Sequence, residues 1–181
     1  SFPTRRSSDL DELLTNGAFD RGVGAWGGYS DDDATVLGQA TDCRGLLSSP
    51  CLQFSASQAN ISLLISNPFS MERGRGYVVA FKILGIRGLS NIEGPTKVIV
   101  RRNGPTYDSL GLEEEFPLLN TWQDIQFFYT AAESGSRFAR LDIQFPKGAE
   151  AFVDNVSIRS VSLSSLRSSA NQQILLNSSA T

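Results

Sequence analysis

Leu13-Leu14-Thr15-Asn16-Gly17-Ala18-Phe19-Asp20, followed by Trp26, stands near the front of the chain, and Ala151-Phe152-Val153-Asp154-Asn155-Val156-Ser157-Ile158 stands near its back. Each is a strand-length apolar run that carries one acid. The residues between them hold further runs of that length and no convincing helical period. This pattern points to an all-β sandwich whose first and last strands lie together, with Asp20 and Asp154 available to one cation. It is the layout of a binding module rather than of an enzyme.

The intervening runs support it. Tyr77, Val79, Phe81 and Ile83 alternate against Ala80 and Lys82, and Ile125, Phe127 and Tyr129 against Gln126 and Phe128. Ala139, Leu141, Ile143 and Phe145 alternate against Arg140, Asp142 and Gln144. A period of two puts each apolar set on one face of a half-buried strand. With shorter runs at 34–39, 52–56, 61–65 and 97–102, the chain is expected to form about nine strands, a sandwich or jelly roll. Residues 22–29 read as a glycine-rich connection, 71–75 as a polar turn, and Glu113-Glu114-Glu115 as a solvated loop.

Composition excludes several chemistries. The 181 residues include no His and two Cys. A Ser-His-Asp or Cys-His nucleophile is therefore ruled out, as is a Cys/His zinc site. The net charge of −3 offers no electrostatic case for nucleic acid or an anionic membrane. Eleven Phe and 40% apolar residues suffice for one substantial core. Cys43 and Cys51 flank a Gly/Ser/Pro loop, a spacing that suits a small disulfide-closed turn or two separate thiols, one of them beside Leu52 and Phe54.

Both ends read differently from the middle. Residues 1–10 resemble the in-frame translation of a sequencing adapter and are set aside as non-native. Residues 11–161 are expected to form the module, 162–173 a serine-rich linker, and 174–181 the truncated start of a following domain.

Residues 14–20 with the following Trp, 76–81, 121–127 and 152–158 together resemble carbohydrate-binding modules of families four and nine, in order and over most of the chain. The resemblance implies a galactose-binding-like jelly roll. It also implies a noncatalytic, extracellular module that holds an attached glycoside hydrolase, or a related secreted protein, near a polysaccharide. Many such modules carry one structural calcium, which here implies Asp20 and Asp154 as ligands. The family more often has Glu where this chain has Asp20, one methylene longer. A turn-capping Asp20 and a backbone-bonded Asp154 are the alternative roles.

Sugars are held by aromatic faces together with amides and charged groups that bond hydroxyls. The exposed aromatic candidates are Tyr29, Tyr107 and Phe128; the polar candidates on outward faces are Lys82, Arg101, Gln126, Arg140, Asp142 and Gln144. Trp26, Tyr77, Phe81, Trp122, Phe127 and Tyr129 are expected inside. A sandwich that spaces its neighbours and binds no glycan is the competing reading.

Overall fold

The computed structural model describes residues 12–45, 50–58, 61–87 and 94–161. The expected adapter segment, linker and following domain lie outside the described residues. The described residues are all-β, with eleven strands in two antiparallel sheets.

One sheet contains β2 (Val36–Ala40), β3 (Cys51–Ser55), β11 (Glu150–Val161), β6 (Gly76–Arg87) and β9 (Gln123–Thr130), in that spatial order. The other contains β1 (Gly27–Ser30), β4 (Ser62–Ile65), β10 (Gly135–Phe145), β7 (Thr96–Arg102) and β8 (Ser109–Phe116). The short β5 (Phe69–Met71) pairs with the first half of β10, and β4 with its second half. The alternation read from sequence holds: Tyr77, Val79, Phe81 and Ile83 meet Leu141, Ile143, Phe145 and Val98 in one core between the sheets. Phe54 stacks on Phe145 across it at 4.4 Å between ring centroids.

The two ends do come together. Strand β3 pairs with β11 over Glu150–Val153 only, which leaves the rest of that β11 edge open. Residues 12–17 fill it. Leu13 N–H donates to the Ile158 carbonyl, Ile158 N–H to Glu12 Oε1, and Val156 N–H to the Gly17 carbonyl, each at 2.9 Å. Only the Glu12–Arg159 bridge is ladder-like, so the front segment is a clasp and not the full first strand expected. It then turns sharply at Asn16 and Phe19, both in the left-handed region. Asn tolerates that region, and its side chain ties the loop by donating to the Gly22 carbonyl at 2.6 Å. Phe19 does not tolerate it well, but it is fully buried against Trp26, whose indole N–H donates to the Asn16 carbonyl.

Four local readings are corrected. Gly27–Ser30 is a strand and not part of a connection, and Phe69–Met71 is a strand running into the turn read at 71–75. Glu113 to Glu115 belong to edge strand β8 because Leu110, Leu112 and Phe116 around them face the core. Trp122 is half-buried outside the main core: it packs with Leu84, Phe152 and the Cys43–Cys51 disulfide, and its indole N–H donates to the Cys43 carbonyl.

Gly17 is the tightest point of the clasp, since a Cβ there would overlap the Val156 carbonyl. Gly17→Ala is expected to lift the front segment from β11 and cost about 1–3 kcal/mol. Urea unfolding midpoints of the two proteins measure it; an unchanged midpoint would show that the clasp contributes nothing to stability.

Candidate functional site

Two places on this frame collect the chemistry-bearing residues. The first is the outer face of the β1–β4–β10–β7–β8 sheet. Its core face takes Leu64, Val98, Val100, Leu141 and Ile143, so the alternate residues point out. Register then sets them in rows. Tyr29, Leu63, Gln144, Lys97 and Glu115 follow one another across the five strands. The next row holds Gly27, Ile65, Asp142, Ile99 and Glu113, and the one beyond it sets Arg140 directly opposite Arg101.

Asp142 is fully buried although it lies on an outward face. Two isoleucines flank it and two guanidiniums roof it. Arg140 Nε lies 2.9 Å from Oδ1 and Arg101 Nε 3.1 Å from Oδ2. Neither Nε–H is aimed at its oxygen, so the aligned hydrogen bond is the one from Arg140 Nη2 to Oδ2 at 3.0 Å. Burial pushes the Asp142 carboxyl up from its ordinary value, and the charges of Arg140 and Arg101 oppose that push.

Aromatic rings bracket this cluster. Tyr107, in the turn after β7, takes the Arg140 guanidinium over its ring at 4.9 Å from the centroid. Tyr29 sits in the Gln144 row, on the other side of Asp142. Both rings are about half exposed, at 47% for Tyr29 and 48% for Tyr107. The Tyr29 hydroxyl is held up mainly by its hydrogen bond to Asp31, then by the charges of Asp31, Asp33 and, to a smaller degree, Tyr107.

Six of the nine ligand candidates read from sequence, namely Tyr29, Tyr107, Arg101, Arg140, Asp142 and Gln144, therefore share one face. The other three do not. Phe128, Gln126 and Lys82 project from the outer face of the opposite sheet, where Phe128 lies beside Val78 and Lys82 pairs with Asp124 at 2.5 Å. An outward position is necessary for a shared surface but says nothing about which of two sheets carries it. Leu63 and Ile99 went unnoticed as the floor of the first face because apolar residues in alternating runs read as core.

The second place is the clasp. A cleft of about 530 Å³ opens between the front segment and β11, lined among others by Glu12, Asn16, Asp20, Arg21 and Asn155. Next to the lining residue Asn155 comes Asp154, 1% exposed, at a bulge where Asn155 takes a positive φ of 52°. The Asp154 Oδ1 is buried and, among the described residues, has no hydrogen-bond partner. Burial pushes the carboxyl up to about 6; the Asn155 N–H and Lys82 pull it down, and the charge of Asp20 adds to the rise. An orphaned buried carboxylate oxygen with a second carboxylate in range is what an oxygen-ligated cation would neutralise. Among the described residues no three His, Cys, Asp or Glu converge, so such a cation would also need main-chain or amide oxygens.

No protein-family model and no curated protein sequence matches the chain. Solved structures do. A module of carbohydrate-binding family 4 superposes with a TM-score of 0.61 at 15% identity, over 79% of this chain and 99% of the module. The N-terminal cellulose-binding domain of Cellulomonas fimi β-1,4-glucanase C gives 0.59 at 18% identity, covering 83% of this chain and 97% of that domain. The Clostridium thermocellum endo-1,4-β-xylanase 10B structure, in which a family 22 binding module adjoins a family 10 hydrolase in complex with xylohexaose, gives 0.59 at 14% identity over 84% of this chain and 29% of that one. At these identities the shared property is the architecture: the chain has the galactose-binding-like jelly-roll fold of carbohydrate-binding modules.

Proposed function

We propose that the chain is a noncatalytic carbohydrate-binding module whose ligand lies on the outer face of the β1–β4–β10–β7–β8 sheet. The observation that carries this reading is the grouping there of two half-exposed tyrosines with Arg101, Arg140 and Gln144 over an apolar floor. Tyrosine rings stack on the C–H faces of sugars, while guanidinium and amide groups bond hydroxyls. The neighbours' names support it, since several bind cellulose, xylan or galactan fragments. Glu113 and Glu115 stand outward on β8, and Glu115 is engaged by Lys97 at 2.6 Å, so these two acids are not a free pair for glycoside hydrolysis. Binding of this kind is worth about 4–8 kcal/mol, or millimolar to micromolar affinity. Its service is to hold an attached enzyme, a glycoside hydrolase or a similar secreted protein, at a polysaccharide, and the Cys43–Cys51 disulfide suits an extracellular location.

Calcium belongs to the same reading as a structural ion. Asp20 and the orphaned Asp154 oxygen would hold it with main-chain oxygens of the clasp. It would supply the positive charge that the buried carboxylate lacks and tie the front segment to β11.

Three outcomes follow. In affinity electrophoresis against cellulose derivatives, β-glucans, xylans and galactans, at least one polymer retards the protein; Tyr107→Ala weakens that retardation at least tenfold, and Phe128→Ala leaves it unchanged. No retardation by any polymer favours the spacer role instead. Millimolar calcium raises the melting temperature of the wild-type protein by several degrees and leaves Asp154→Asn unmoved. In a chelator, the sign of Asp154's contribution reverses. Its folded pKa of about 6 lies above the ordinary carboxylate value, so folding favours the protonated form. Wild-type stability relative to Asp154→Asn is therefore highest below about pH 4 and declines as pH rises toward 6, by up to about 3 kcal/mol. Urea titrations of both proteins across that range check it.

A further inference from the structure

Arg101 and Arg140 face each other directly across β7 and β10, and like charges so placed repel. They share one carboxylate. The cluster therefore has two positive charges against the single negative charge of Asp142. Their side chains are only 20% and 14% exposed, so water neutralises the excess poorly. Neighbouring cations differ: Lys97 has Glu115, and Arg102 has Glu133 at 2.6 Å. Each guanidinium of the cluster keeps Nη donors that Asp142 does not use, in the fork geometry that suits a carboxylate.

The surroundings limit what anion fits. Glu113 and Glu115 border the face at β8, and Asp31 to Asp33 follow β1 at the opposite edge. A chain with a charge on every residue would cross these acids on its way over the cluster. A single carboxylate among neutral sugars would not.

We propose, on the basis of the glycan-binding reading above, that this face selects a glycan with a neutral backbone and isolated uronic-acid groups. The uronate carboxylate sits on Arg101 and Arg140, and neutral rings lie against Tyr29 and Tyr107. Asp142 is a positioning residue, which holds both guanidiniums toward the ligand.

The test uses the intact protein with two probes, glucuronoxylan and xanthan, each native and after chemical reduction of its carboxyl groups to alcohols. At least one native polymer is expected to retard the protein in affinity electrophoresis, with at least tenfold weaker binding after reduction. Arg101→Gln brings binding of the native polymer down to that of the reduced one, while Arg101→Lys recovers part of it. Polygalacturonate, charged on every residue, binds more weakly than the sparse uronate polymer. Equal binding to native and reduced polymer, or retardation by neutral glycans alone, overturns this inference and leaves the module reading in place. Absence of binding to every glycan, charged or neutral, overturns both. The comparison of native with reduced polymer uses only the wild-type protein, so it decides the matter even where an Arg101 variant does not fold.

Discussion

The last strand is longer than the partner on one of its sides, and the rest of the molecule is arranged around that mismatch. Strand β6 runs the whole length of β11, but β3 stops at Val153. From Asp154 onward the opposite edge would present unpaired N–H and C=O groups beside the core. Buried main-chain groups left without partners cost several kcal/mol together. The front segment supplies what is missing, partly by its own main chain and partly by the Glu12 carboxylate, which takes N–H bonds from Leu14 and Ile158 and pairs with Arg159. Once fixed there, the segment drops Phe19, Leu14 and Trp26 into the core. Main-chain satisfaction and apolar burial thus come from one placement.

That placement also brings a strained loop, with Asp20, near Asp154. The turn through Asn16 and Phe19 is tight because Gly17 must pass against Val156, and the bulge at Asn155 displaces the ladder at the same level. The carboxylate is left with the Asn155 N–H and, among the described residues, no hydrogen-bond partner for Oδ1. Under the polar cluster of the opposite sheet, β10 pairs with β7 without interruption from Ala139 to Gln144, while the β7–β8 register shifts between Val100 and Arg101. The unbroken β10–β7 ladder is what sets Arg140 directly opposite Arg101. A regular β10–β7 ladder suits a surface proposed to meet a long ligand, and a bulged, looped edge suits a compact ion.

How much of this could be read from sequence depends on which physical signal each part carries. The long strands β6, β9, β10 and β11 declare themselves because a half-buried strand must alternate, and the ends were legible as partners because each carries an isolated acid beside a strand-length run. Short strands carry too few periods: Gly27–Ser30 is glycine-rich and largely exposed, and Phe69–Met71 has three residues. Glu113 to Glu115 concealed β8 because edge strands take charge where central ones cannot. The binding face was half legible. Tyr29, Tyr107, Arg101, Asp142 and Gln144 stood out by exposure or alternation, but which sheet each faces depends on strand order, and no local pattern encodes it. Phe128 and Asp142 make the point in opposite directions. The aromatic looked like a ligand residue and lies on the other sheet; the acid looked solvated and is buried.

Asp142 and Asp154 present the same problem with two solutions. Each is a carboxylate almost wholly removed from water, on strands central to their sheets. Asp142 receives two guanidiniums from its own strand and the next one, so its charge is over-compensated and the excess is positive. Asp154 receives one main-chain N–H and the partial attention of a lysine already bound to Asp124, so its charge is under-compensated, and Asp20 deepens the deficit. Neither balance closes within the protein. One leaves a largely buried cationic donor array between two tyrosines, and the other a buried anionic oxygen next to the cleft-lining Asn155. Complementary charge from outside would close each, an anion on the first face and a cation at the second, so both proposals rest on electrostatics even though they concern opposite sheets of the sandwich.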